Sequence, residues 1–277
     1  MKFKFFNYDK PGKGVSKNQL EKRGVVRFFE IYIRAFWRLC TVNLWYVLVS
    51  LPVFTNGMAQ AGLAYVARNT AMETPTFGTS DFFDIIKKNW RTSLITGTIN
   101  VLLTGLLVYD WIFFYNQVEG EYNLLNMICM AGIMFLYMIY TLMKYYIPIL
   151  TVTFRPKLSK LFKNSLVLAI AGLKRNVLIF LTLGLIYAFA GLLLWVTNFN
   201  LIVVAILVLA VLFVFPSFRS YLIQYNAFAV VKNVMIDPYY NDHPDEDIEM
   251  RRSLGLIKED DEDVDEESVF VDTTENE

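Results

Sequence analysis

NVLIFLTLGLIYAFAGLLLWVTNFNLIVVAILVLAVLFVFPSF, residues 176–218, contains no Asp, Glu, Lys or Arg. A hydrocarbon core of ~30 Å is crossed by ~20 apolar residues, each adding ~1.5 Å to a helix. The stretch is therefore long enough for two crossings. Its one polar interruption, Thr197-Asn198-Phe199-Asn200, predicts a tight turn between helices at Val177–Val196 and Leu201–Tyr221. Lys174 and Arg175 precede the stretch, Arg219 and Lys232 follow it, and the turn is uncharged. Basic residues stay on the cytoplasmic side, so this hairpin enters and leaves from the cytoplasm. The expected class is all-α, a polytopic transmembrane helical bundle.

Composition agrees: 55% hydrophobic residues, 16% aromatic and a mean hydropathy of +0.39 suit a membrane protein better than a soluble domain. The formal net charge of zero hides a division. Residues 237–277 hold 17 of the 26 acidic residues and 3 of the 26 basic ones, leaving 23 basic against 9 acidic elsewhere, a net of +14. The basic residues cluster beside apolar runs, where the anionic inner leaflet attracts them, so a lipid bilayer and no nucleic acid is the expected partner. The acidic tail, 235–277, reads as disordered and cytoplasmic.

In chain order, residues 1–27 form a basic cytoplasmic segment, eight Lys/Arg against Asp9 and Glu21. No removable leader is expected, because more than thirty polar and charged residues precede the first apolar run. The membrane domain is expected over 28–234. Phe28 to Arg38 suggest an interfacial lead-in, and Thr41–Phe54 completes a first crossing that ends at Pro52. Gly57–Ala67 has only eleven residues, yet Arg68, Lys87, Lys88 and Arg91 follow it and call for the cytoplasm. Either a short second helix extended through Thr55 and Asn69 returns the chain, or a re-entrant pair does. Small Gly and Ala side chains that let helices approach favour the short helix. Thr79 or Ser80, followed by Asp81, opens an amphipathic helix expected to lie on the inner surface before a third crossing at Leu94–Phe114. Leu125–Leu150, broken late by Pro148, is the fourth. Leu158–Gly172 is a second amphipathic approach, and the opening hairpin supplies crossings five and six, with both termini inside. Lys87-Lys88-Asn89 and Lys174-Arg175-Asn176 precede similar apolar runs and hint at a repeated unit.

Candidate chemistry is sparse. Asp110 and Lys144 are the ionisable residues furthest inside crossings, where charge costs at least ~2.5 kcal/mol and often marks an ion or substrate path. Asp110 falls near the outer end of its helix and Lys144 near the inner end of the next, so they are not expected to pair. Thr96, Asn100 and Thr104 share a helical face, with Gly97 and Gly105 beside them. This stripe could line a polar cavity or make interhelical hydrogen bonds. Asn43, Gln60 and Gln224 carry the same two readings. Lys87, Lys88, Arg91, Lys160, Lys163, Lys174 and Arg175 are candidates for contact with the inner leaflet or a partner. Cys40 and Cys129 are expected on opposite sides of the membrane, out of disulfide reach. His243 is the only histidine. No metal-ligand spacing, catalytic triad or inward carboxylate pair is present, and neither enzymatic activity nor a cofactor is expected.

One resemblance covers roughly residues 5–115. It rests on the order of Pro11-Gly12-Lys13-Gly14-Val15, Phe28-Phe29, Phe36-Trp37-Arg38-Leu39, Asn43-Leu44 and Ser50-Leu51-Pro52. Gly57…Ala61, Val66…Arg68, Asp81-Phe82-Phe83 and Lys88-Asn89 follow. Together they resemble the YesL family of bacterial integral membrane proteins, whose function is not established. The later helices match only in hydropathy, and the acidic tail is no feature of the family. The resemblance implies a Gram-positive plasma membrane protein encoded near carbohydrate ABC transporters and sensor kinases. It supplies no catalytic residues. The expectation is a non-enzymatic accessory or scaffold component linked to sugar uptake or sensing, with transporter or sensor-kinase subunits as partners. The alternative is a transporter or channel with a polar path past Asn100 and Lys144.

Overall fold

The computed structural model describes residues 24–118, 124–154 and 156–243, and every element among them is helical. The amino-terminal basic cluster up to Arg23, Glu119 and Glu121, Arg155, and the acidic runs of the tail lie outside the described residues.

Helix α1 (Val25–Arg34) leads into α2 (Phe36–Ser50) with a break at Ala35. Pro52 cannot donate a backbone hydrogen bond, and α2 ends before it. A 3₁₀ turn, Val53–Thr55, then reverses the chain into α3 (Asn56–Ala71). Helix α4 (Thr79–Val118) runs unbroken for 40 residues. The expected surface helix and third crossing are thus a single element, with Phe82 and Ile85 buried at its start. Its entry is fixed by the Asp81 carboxylate, which accepts from Phe77 N–H at 2.9 Å.

Helix α5 (Leu124–Met143) stops ahead of α6 (Ile147–Phe154). Pro148 explains the stop, since its ring nitrogen cannot donate to the carbonyl four residues back, that of Lys144. Next come α7 (Leu158–Ala171), α8 (Leu173–Val196), α9 (Leu201–Phe213) and α10 (Phe215–Val231). Asn200 caps α9 by accepting from Ile202 N–H at 2.9 Å. A π-helical turn at Lys232–Ile236 carries the chain into α11 (Asp237–Asp242).

Among the described residues, three helices are long and apolar enough to cross a membrane: Thr79–Asn116, Leu124–Phe154 and Leu173–Val196. Leu201–Phe213 with Phe215–Asp242, bent by 51°, makes a fourth if taken as one span. The sequence expects six. The difference is α2 and α3, at 15 and 16 residues. These are short against ~20, and α3 is also weakly apolar.

Yet α3 is the hub. It packs against α1, α2, α4, α6 and α10. Ala59, Ala61, Leu63, Ala64, Val66 and Ala67 along it are all buried. A helix shielded by other helices needs small side chains for close approach, and lipid-compatible bulk matters less. At its crossing with α4, a Cβ placed on Gly97 would lie 2.6 Å from Gly57 Cα, so the two backbones touch there. Five residues later Gly62 faces Phe82, whose ring would meet an added Cβ at 2.8 Å. The guanidinium of Arg68, also buried, donates to Asn69 Oδ1 at 2.7 and 2.9 Å and to Thr153 Oγ1 at 2.7 Å, tying α3 to α6. At its far end Glu73 accepts from Arg27 at 3.0 Å and Arg34 at 2.7 Å, which tethers α1.

The hairpin that announces the membrane in the sequence sits at the periphery. Helix α9 has no buried residue, and α5 buries only Tyr140 and Leu142. Such apolar, outward-facing surfaces are what hydrocarbon tails cover.

The bend between α9 and α10 has a definite cause. Pro216 cannot donate to Leu212 O, and the carbonyls before it lose their helical partners. Asn43 of α2, fully buried, fills the gap. Its amide donates to Val211 O at 3.1 Å and Leu212 O at 2.7 Å, while its carbonyl accepts from Ser217 N–H at 2.7 Å. A second buried asparagine, Asn176, secures the corner between α7 and α8. It accepts from Tyr146 Oη at 2.8 Å and donates to Ala169 O at 2.8 Å. Gly172 admits that tyrosine, whose hydroxyl would meet a Cβ there at 2.5 Å. The two stretches that hint at a repeat therefore diverge in form: α4 runs straight past Asn89, whereas the chain turns at Gly172 before Asn176.

Candidate functional site

The helix breaks ahead of Pro148 and Pro216 open toward one region beside α3 and α4. A cavity of about 100 Å³ is bordered there by Tyr46, Gln60, Asn100, Lys144, Arg219 and Gln224, with Pro148 and Pro216 in its wall. A smaller compartment of about 20 Å³ adjoins it, sharing Gln60, Asn100, Lys144 and Pro148 and adding Ser93 and Thr96. A water-sized molecule occupies ~10–15 Å³ on this measure, so the larger compartment admits a group of several heavy atoms.

Local sequence sets each position. Lys144 lies in the break that Pro148 imposes, and Arg219 lies at the start of the second turn of α10, three residues after Pro216. Gln60 and Asn100 project from the closely crossed α3 and α4. Tyr140 Oη donates to Asn100 Oδ1 at 3.1 Å. Asn56 Oδ1 accepts from Tyr46 Oη at 3.2 Å and Gln60 Nε2 at 3.3 Å. The Lys144 ammonium stands 5.3 Å from the Tyr137 ring centre and 5.2 Å from that of Tyr140. Among the described residues no carboxylate borders either compartment.

The polar stripe is split by this arrangement. Thr96 borders the smaller compartment, with its hydroxyl donating to Ser93 O at 3.1 Å, and Asn100 borders both. Thr104 borders neither, and its hydroxyl is buried without a partner. Asp110 is half-buried and stands ten residues, ~15 Å of helix, beyond Asn100. It is not brought to Lys144. The basic candidates Lys87, Lys88, Arg91, Lys160, Lys163, Lys174 and Arg175 are all exposed. Arg91 lies 5.1 Å from the Trp90 ring centre. Arg175 reaches Asn226 O at 3.5 Å. Cys40 and Cys129 are free thiols.

Sequence reasoning treats Arg219 only as a flank of an apolar run. The signal that places it in the site is proline position: Pro216 and Pro148 each mark a helix break, and a cation sits within four residues of each.

Residues 31–111 match the model of a protein family described as "Protein of unknown function, DUF624". The chain thus carries a DUF624 domain that runs from within α1 through α2 and α3 and along most of α4. No curated protein and no solved structure matches the chain. The match contains Tyr46, Gln60, Thr96 and Asn100 from the cavity wall. Lys144, Arg219 and Gln224 lie beyond it.

Proposed function

We propose that the protein is a multi-pass, non-enzymatic plasma membrane protein that serves as an accessory or scaffold component of another membrane assembly, linked to carbohydrate uptake or sensing. In this reading α2 and α3 cross the membrane beside the four apolar spans. The six segments leave both termini in the cytoplasm. The observation that carries the proposal is the exposure of Lys87, Lys88 and Arg91 on α4 together with Lys160, Lys163, Lys174 and Arg175 on α7 and the start of α8. Charges displayed at helix ends suit anionic headgroups and a cytoplasmic partner surface. The resemblance of the amino-terminal part to the YesL family supports the carbohydrate link, with sugar ABC transporter or sensor-kinase subunits as partners. The DUF624 match supports that resemblance in kind and assigns no activity.

The test is mild-detergent purification of the tagged chain from its own membranes, with mass spectrometry of what accompanies it. The expected result is a specific set of membrane proteins, reduced about tenfold by combined Lys87→Glu, Lys88→Glu and Arg91→Glu, since like charges across an interface repel. Recovery of the chain alone contradicts the proposal.

A second reading, a transporter with a polar path past Asn100 and Lys144, is favoured by the cavity those two residues share. Cysteines placed at positions 100 and 104 separate the two. A site that ends at the cavity leaves 100 reactive with a water-soluble thiol reagent and 104 protected; a path labels both.

A further inference from the structure

The cavity beside α3 gathers two positive charges without a negative one. Lys144 and Arg219 both border it, and among the described residues neither has a carboxylate partner. Arg219 lies within electrostatic range of Lys144. Its Nε is buried without a hydrogen-bond partner, and so is Oε1 of Gln224, a side chain only 2% exposed. The tyrosine rings beside Lys144 offset part of one charge and none of the other. Like charges in a low-dielectric pocket reinforce one field. The starts of α6 and α10 add to it, because Pro148 and Pro216 in their first turns line the cavity and bring the positive helix ends close to it. Discontinuous helices that aim their amino-terminal ends at one point build anion sites in membrane proteins.

We propose that this cavity binds a small oxyanion, a carboxylate or phosphate group, between Lys144 and Arg219, with the amides of Gln60, Asn100 and Gln224 completing its shell. The guanidinium offers paired donors and the ammonium a point charge. An amide turned end over end presents its NH₂ in place of its oxygen, which converts Gln224 into a further donor. A metal cation is disfavoured by the same two charges. The inference goes beyond the accessory reading and requires neither a partner nor transport. The oxyanion belongs either to a soluble molecule or to a lipid headgroup.

The experiment uses the full chain, stripped of lipid, in dodecylmaltoside micelles in Tris-chloride buffer free of oxyanions, and reads the thermal unfolding midpoint. Inorganic phosphate and acetate are titrated into one set of micelles; in parallel, phosphatidylglycerol is added to another, with native mass spectrometry for retained lipid. Wild type is expected to gain about 5 °C with the matching source at saturation. Stabilisation by phosphate or acetate assigns a soluble ligand. Stabilisation and retention with phosphatidylglycerol alone assign a headgroup. In either case Lys144→Gln and Arg219→Gln each weaken the effect about tenfold to a hundredfold, and Lys144→Arg keeps most of it. Without an oxyanion, Lys144→Gln should match or exceed the wild-type midpoint, because it removes an unpaired charge. The proposal is overturned if no source stabilises wild type more than the glutamine variants. It is equally overturned if Lys144→Gln fails to fold in oxyanion-free buffer, for the charge is then structural.

Discussion

Asn43→Ala is expected to destabilise the folded bundle by about 2–4 kcal/mol and to straighten or splay the α9–α10 bend. Hydrogen bonds between membrane helices average well under ~1 kcal/mol, because the separated helices find other partners. Asn43 departs from that average. Its three bonds go to backbone groups beside Pro216, two of them carbonyls, and the proline removes the donor that Leu212 O would otherwise have. Alanine leaves these groups buried and unpaired. The check is thermal or denaturant unfolding in detergent, run as a cycle with Pro216→Ala. Removing the proline restores a backbone donor, so the double variant should recover part of the loss; strict additivity would show that Asn43 does not act through the bend.

Gly97→Val is expected to have an effect of the same size or larger, about 3–5 kcal/mol, with loss of the monodisperse folded species. The atoms an added side chain meets belong to the backbone of Gly57, and no flexible chain can swing away. Helices α3 and α4 would have to separate, opening the hub to every neighbour of α3. Gly105 lies on the same helix two turns on, and a Cβ there meets nothing within 4 Å. Gly105→Ala should therefore be neutral or slightly stabilising, by up to ~1 kcal/mol from helix propensity. Comparable losses at both positions would mean that the close crossing is not what matters. Fluorescence-detected size exclusion followed by unfolding measures both.

The contrast between these glycines shows what the sequence discloses. Gly97 and Gly105 look alike in a polar stripe, and only the packing distinguishes them. Hydropathy finds the apolar, outward-facing helices, which is why the uncharged stretch at 176–218 stands out and why the end of α8 at Val196 and the turn to Leu201 are legible to the residue, although α8 begins four residues ahead of the expected Val177. It underrates α3 for the same reason. A helix enclosed by five others is built of alanine and glycine, carries Arg68 and Asn69, and scores as a doubtful segment. Pro148 announces its break from the sequence; the expected helix Leu201–Tyr221 runs through Pro216, and only beside Asn43, which lies 173 positions earlier, does the bend become a built feature. The cavity is legible in part. Asn100, Lys144, Gln60 and Gln224 stand out as polar residues in apolar surroundings, whereas Arg219 resembles an ordinary flanking charge until the bend places it beside Lys144.

The proposed six-segment topology requires α3 to cross the membrane as the hub. Sidedness of single cysteines, in a chain with Cys40 and Cys129 replaced, tests this most directly. Cysteines at Phe54, Asn198 and Pro75 would be labelled with a membrane-impermeant reagent from either side of oriented vesicles. With six crossings, 54 and 198 react from the outer face and 75 only from the inner. Reaction of 54 from the same side as 75 would contradict it, returning α2 and α3 to a re-entrant pair and the protein to four crossings.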